Sequence, residues 1–120
     1  MDVEESPSLM SVSDRPAEHR LVVEQDGWTA ELVYRVDGDR IVLVHTGVPE
    51  AMSGQGIGSM LVRAALDRAA DEGLTVVPWC AFARRWLREH PDAAASVNID
   101  WESQPPGRRH TATATGGPGD

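Results

Sequence analysis

The stretch from His45 to Leu61, His-Thr-Gly-Val-Pro-Glu-Ala-Met-Ser-Gly-Gln-Gly-Ile-Gly-Ser-Met-Leu, constrains the fold more than any other part of the chain. It leaves an apolar run, crosses a loop bearing Gly54, Gly56 and Gly58, and enters a segment with helical periodicity. Alternating glycines at a helix N-terminus expose consecutive backbone N–H groups, where the helix dipole also favours negative charge. The loop therefore reads as an anion cradle, best suited to a pyrophosphate. Two phosphate motifs are excluded by residue type. A P-loop requires Lys and then Ser or Thr after its last glycine, whereas Ser59 and Met60 follow Gly58. A dinucleotide fingerprint requires glycine at 59 and an acid closing the next strand, whereas Asp71 and Glu72 fall on the helix. A tight strand-to-helix turn without a ligand stays open at this point.

The 120 residues allow one small domain. Residues 1–17, with Ser6-Pro7-Ser8 and Pro16, read as a disordered leader, and 102–120, rich in Pro, Gly, Thr and Ala, as a disordered tail. The packed domain, 18–101, is then roughly 85 residues, a size at which a bound ligand or partner subunit adds useful stability.

Within it the period switches from two to 3.6. Leu21-Val-Val, a turn at Asp26-Gly27, the alternating run Trp28, Ala30, Leu32, Tyr34, Val36, a turn at Asp37-Gly38-Asp39, and Ile41 to His45 predict an antiparallel three-stranded meander. Leu61, Val62, Ala65, Leu66 and Ala69 form one helical stripe, with Arg63–Asp67 and Arg68–Glu72 as i,i+4 pairs opposite and Gly73 as the stop. Leu74 to Pro78 predicts a strand parallel to Ile41–His45, because a crossover through a helix is right-handed. Ala81 to His90 predicts a shorter helix burying Phe82, Ala83, Trp86 and Leu87 and ended by Pro91; Arg85 faces Glu89, and His90 is placed to meet the last carbonyls. Val97, Ile99 and Trp101 alternate like a strand fragment. The fold class is α/β (α+β), a mixed sheet with a βαβ crossover and a short C-terminal helix.

Charge and composition narrow the partners. The net charge is −8 and every basic residue is Arg, so the basic field needed for nucleic acid is missing. One cysteine excludes an internal disulfide. No apolar run reaches the ~18 residues of a membrane span, and no signal pattern opens the chain, so a cytoplasmic location is expected. No His and carboxylate pair has ligand spacing, so no metal is expected. Four tryptophans suit a stacking surface, an interface or the core equally well.

A second cluster, Val77-Pro78-Trp79-Cys80-Ala81-Phe82-Ala83, stands with His45-Thr46, Val48 and Gly54-Gln-Gly-Ile-Gly-Ser59. Together they resemble the minimal, YjdJ-like branch of the GCN5-related N-acetyltransferases over roughly residues 19–92. The resemblance implies an acetyl-CoA-dependent N-acetyltransferase. Its pantetheine arm would lie between the strands ending near His45 and Pro78, on backbone around Thr46 and Val48. The pyrophosphate would sit on N–H groups of Gln55, Gly56, Ile57, Gly58 and Ser59, with Ser53 and Gly54 leading into the turn. Family members often carry an acid where Gly47 stands, a basic residue where Ser53 stands and proline where Ala81 stands; the first departure removes a general base and the second a cation.

Acetyl transfer requires a neutral amine, an oxyanion site and an acid for the leaving thiolate. Backbone at a bulge expected at Val48 would serve the oxyanion, since Pro49 has no N–H and favours an irregular strand end. Tyr34 is placed mid-strand, as a core aromatic. Cys80, at a strand-to-helix junction, is the candidate for proton exchange or for accepting the acetyl group, with burial as a small apolar residue the other reading. His45 is the candidate base, or a strand-end residue satisfied by neighbours. Glu50 reads as solvated loop. The acceptor is an amine, small or on a protein, and the chain is a monomer or homodimer. The competing function is a CoA-binding or interaction module with little turnover.

Overall fold

The computed structural model describes residues 11–105. Five strands lie side by side in chain order: β1 (Ser13–Arg15), β2 (Arg20–Gln25), β3 (Trp28–Asp37), β4 (Arg40–Gly47) and β5 (Thr75–Pro78). The first four pair antiparallel; β4 and β5 pair parallel, with Arg40 opposite Thr75 and Leu43 opposite Pro78. The crossover between them is α1 (Ile57–Glu72), followed after β5 by α2 (Ala81–Glu89) and the single turn α3 (Pro91–Ala94). The expected mixed sheet and βαβ unit are present.

Two periodicities meet in one core. Leu21, Val23, Ala30, Leu32, Tyr34, Ile41, Leu43 and Val76 come from one face of the sheet, and Ile57, Leu61, Val62, Ala65, Leu66 and Ala69 from the stripe of α1. Ala83, Trp86 and Leu87 of α2 complete it, with Phe82 half-buried at its edge. Gly73 caps α1 at φ 69, a left-handed value that glycine adopts without steric cost. The opposite sheet face carries ion pairs, among them Arg15–Glu24 at 3.2 Å and Arg20–Glu31 at 3.1 Å.

Several expectations change. Part of the expected leader 1–17 is a strand: β1 pairs Ser13 with Val22, and Asp14 accepts a hydrogen bond from the Tyr34 hydroxyl at 2.5 Å and pairs with Arg68 at 3.1 Å. A strand held by polar side chains leaves no apolar alternation to detect. Residues 1–10 and most of the expected tail, 106–120, lie outside the described residues. Packing continues past the expected boundary at 101, since Asp100 accepts from the N–H groups of Glu102 and Ser103, and Ser103 accepts from the Trp79 indole at 3.1 Å. Pro91 does more than end α2. It opens α3 at the first helical position, where a missing N–H costs nothing.

Val97 to Trp101 gives one parallel bridge, Ile99 with Val76, in place of a full strand fragment. Arg68 pairs with Glu72 at 2.9 Å, but Arg63 lies over the Trp86 ring at 5.0 Å and Arg85 over Phe82 at 5.9 Å, in place of the i,i+4 partners. At the tip of β3, Trp28 is 51% exposed although its alternation places it with the buried set. Among the described residues no helix is long and apolar enough to cross a membrane.

Candidate functional site

The site begins where β4 and β5 part. Val33 pairs with His45 and Tyr34 with Leu43, so Val44 is an extra residue, a bulge in β4. The irregularity therefore lies at Val44, ahead of the position expected at Val48. The β4–β5 ladder stops one residue before the bulge: the Leu43 carbonyl accepts from the N–H groups of both Trp79 and Cys80, at 3.0 Å each. Pro78 ends β5 and the chain turns into α2, so that among the described residues the β5-facing edge of β4 from Val44 to Gly47 has no strand partner. The result is a fork in the sheet.

Thr46 and Cys80 close the base of this fork. Thr46 pairs with Leu32 and so faces the α1 side. Its Oγ1 lies 3.2 Å from the Cys80 Sγ, a contact in which either atom can be the donor. Cys80 is the N-cap residue of α2, yet its side chain makes no capping bond and is 9% exposed. Its thiol is turned into the fork.

His45 points to the other face, exposed, with its ring over Gly47. A Cβ at position 47 would stand 3.2 Å from His45 Nε2. The missing side chain of Gly47 thus makes room for the imidazole. The structure brings Thr46 and Cys80 together and sets His45 apart from both across the sheet.

Above the fork, Val48 packs half-buried against the core and Pro49 leads into a 3-10 turn at Glu50–Met52. Ser53 spends its hydroxyl on the Glu50 carbonyl at 2.8 Å. Gly54 and Gly56 then take left-handed φ values of 79 and 75, which turn the chain onto α1. Gly56 is its N-cap residue, with no side-chain cap and no acid in the first turn. The Gly56 carbonyl accepts from Met60 N–H at 3.1 Å, so the N–H groups of Ile57, Gly58 and Ser59 precede the first full helical bond and have no partner within the helix.

Gly58 serves a different purpose from the other two. It is helical and buried, and a Cβ there would stand 2.6 Å from Phe82 Cζ. The glycine admits the Phe82 ring against the first turn of α1. Nearby, Ser59 Oγ accepts from the Trp86 indole at 2.7 Å, Trp86 stacks on His90 with centroids 3.9 Å apart, and His90 Nδ1 meets the Trp86 carbonyl at 2.8 Å. These contacts tie α2 to the start of α1. Nothing in the spacing pointed to the Phe82–Gly58 or Trp86–Ser59 contacts; the one available hint is that a buried indole N–H needs an acceptor.

On its other flank, Gln55 exchanges amide hydrogen bonds with Gln25 at 3.0 Å, joining the loop to the β2–β3 hairpin. A hollow of about 240 Å³ beside the Cys80 segment is lined by Trp79, Ala81, Arg84, Ser103, Gln104 and Pro105. Among the described residues no three of His, Cys, Asp and Glu gather as a metal site.

These features define a class: a small mixed-sheet α/β protein in which an uncapped helix N-terminus, behind a glycine turn, opens beside a fork between parallel strands. The chain belongs to the GCN5-related N-acetyl-transferase family, whose model matches residues 19–97. It is 41% identical over 63 residues to Protein NATD1 of Homo sapiens and of Gallus gallus, covering 52% of this chain in both cases and 56% and 57% of those proteins. The chain thus spans a little over half the length of the curated relatives it matches. The solution structure of a GCN5-like putative N-acetyltransferase from Staphylococcus aureus superposes with a TM-score of 0.60 at 26% identity, covering 77% of this chain and 91% of that one.

Proposed function

We propose that the chain is an N-acetyltransferase that takes its acetyl group from acetyl-CoA and passes it to an amine. Acetyl-CoA supplies an activated thioester. The residues present suit it, because the free N–H groups at the start of α1 are an anion seat and the open edge of β4 offers backbone to an extended arm. In this reading Gln55 to Ser59, entered from Ser53 and Gly54, hold the pyrophosphate, and backbone at Thr46 and Val48 holds the pantetheine.

The observation that carries the proposal is the Thr46–Cys80 contact of 3.2 Å at the base of the fork. Thr46 Oγ1 orients the Cys80 thiol so that its proton can be given to the departing sulfur. From the opposite face of the sheet, where Gly47 leaves it room, His45 takes the proton of the incoming amine through water on its own side of the fork, while Cys80 acts from the other. One N–C bond forms, one C–S bond breaks, and the two protons pass from nitrogen to His45 and from Cys80 to the leaving thiolate. Solvent then resets both groups. Backbone N–H groups on the unpaired edge of β4 receive the developing oxyanion. The hollow beside Trp79 and Ala81 is the approach for the acceptor, and the setting is cytoplasmic.

Labelled acetyl-CoA tests this directly, with binding and loss of label to a panel of amines measured together. Transfer above the uncatalysed rate is expected, with Cys80→Ala slower than wild type by about 10²-fold or more. Cys80→Ser, which keeps a weaker donor, should fall between them. Tight binding without transfer would replace this reading with a CoA-binding module. Unchanged rates in both variants would remove Cys80 from the chemistry.

A further inference from the structure

Along β3 the residues facing α1 are Trp28, Ala30, Leu32 and Tyr34, and the last three are buried. Trp28 is 51% exposed because α1 begins at Ile57 and the chain beyond its end is the glycine loop. Trp28 is the register partner of Gln25, whose side-chain amide is bonded in both directions to Gln55 of that loop. The indole therefore stands on the floor of the sheet beside the phosphate turn.

The other three tryptophans are engaged. Trp79 donates to Ser103 and carries Arg35 at 5.8 Å; Trp86 bonds Ser59 and stacks on His90; Trp101 lies under Arg84 and Arg88. Among the described residues the Trp28 indole has no side-chain hydrogen bond and no cation or ring partner. The loop's own residues, Val48 to Met60, include no Lys or Arg and one carboxylate, Glu50, and the guanidinium groups of Arg63 and Arg85 on the neighbouring helices lie over the Trp86 and Phe82 rings. An aromatic face beside the turn would add affinity that the loop's side chains do not supply.

We propose that Trp28 is the stacking platform for the adenine ring of CoA, next to the turn that holds its phosphates. The inference rests on the acetyl-CoA reading above. An indole face and a purine face match in size and polarity, and stacking of this kind needs no cation.

Calorimetry with two ligands separates this proposal from the reading beneath it. CoA carries the adenine; 4′-phosphopantetheine carries the arm and one phosphate without it. Trp28→Ala is expected to weaken CoA roughly tenfold, the effect of one base on one aromatic side chain, and to leave 4′-phosphopantetheine within about twofold. Trp28→Phe keeps a ring and should retain most of the CoA affinity. Equal weakening of both ligands, or no weakening of either, overturns the platform. Wild-type protein that binds neither ligand overturns the cofactor reading itself.

Discussion

The two ends of α1 are built on opposite principles. At the N-terminus Gly56 offers no side-chain cap, no acid stands in the first turn, and the leading N–H groups have no helical partner. At the other end polar groups are matched within the protein. Arg68 bonds Glu72 at 2.9 Å and Asp14 at 3.1 Å, lies 4.9 Å over the Tyr34 ring and also donates to its hydroxyl, while the turn at Gly73 returns Leu74 N–H to the Ala69 carbonyl at 2.8 Å. One end holds the N-terminal strand to the domain. The other keeps its donors unspent, and unspent donors are what an anionic ligand requires. A change at the open end should therefore act mainly on ligand binding, and a change at the closed end mainly on stability.

The largest expected effect is at Gly56. Its φ of 75 is a value that β-branched residues resist, and a Cβ there would project into open space, meeting nothing within 4 Å apart from its own chain neighbours. Gly56→Val should abolish acetyl-CoA binding, by about 10²-fold or more, while lowering stability by about 1–2 kcal/mol. Calorimetry and thermal melting read the two separately. Undiminished affinity in folded protein would mean that the open end of α1 is not a ligand seat.

Gly58 sharpens the contrast, because it lies at the open end yet answers to packing. Gly58→Ala places a methyl 2.6 Å from the Phe82 ring, and overpacking of this kind costs about 1–3 kcal/mol. Pairing it with Phe82→Leu should recover most of that loss in a urea-denaturation cycle. If the two changes simply add, the ring and the glycine are not coupled, and Gly58 returns to the proposed phosphate turn beside Gly54 and Gly56.

How much of this was legible in the sequence depends on which force holds each part. The stripe Leu61, Val62, Ala65, Leu66, Ala69 and the crossover from Ile41–His45 to Leu74–Pro78 were readable, because burying apolar area imposes a period on the chain. Strand β1 was hidden, since Asp14 is held by the distant Tyr34 and Arg68 and Arg15 by Glu24, and ionic contacts impose no period. Trp28 misled because alternation identifies a face without saying how far along it the covering helix extends. The bulge at Val44 was masked by the uniform apolar run Ile41-Val-Leu-Val, in which a slipped residue looks like its neighbours. At the site, Thr46 and Cys80 were singled out in separate motifs, but their contact was not, because it exists only once the fork brings the two motifs together. Nor was the Phe82 ring on Gly58, because a close approach between α1 and α2 depends on how the two helices pack and on nothing local to either.

The smallest effect tests the closed end through pH. Burial, followed by the hydrogen bond and charge of Asp14, pushes the Tyr34 hydroxyl up to about 12, against a smaller opposing pull from Arg68. In the unfolded chain tyrosine titrates near 10. Between these values the folded protein keeps a proton that the unfolded chain has released, so stability falls as pH rises through the window and the contribution is complete below it. Two units set an upper bound of about 2–3 kcal/mol on what is lost. Tyr34→Phe removes the titration together with the hydroxyl's bonds to Asp14 and Arg68, and should cost about 1–2 kcal/mol near neutral pH. The advantage of wild type over Tyr34→Phe should then shrink steadily from pH 10 to pH 12, as measured by urea midpoints at fixed steps. A gap that stays constant across that range would show that the phenol is not the group lost at alkaline pH. The Asp14–Arg68 pair at 3.1 Å, which survives the substitution, would then hold the N-terminal strand without it.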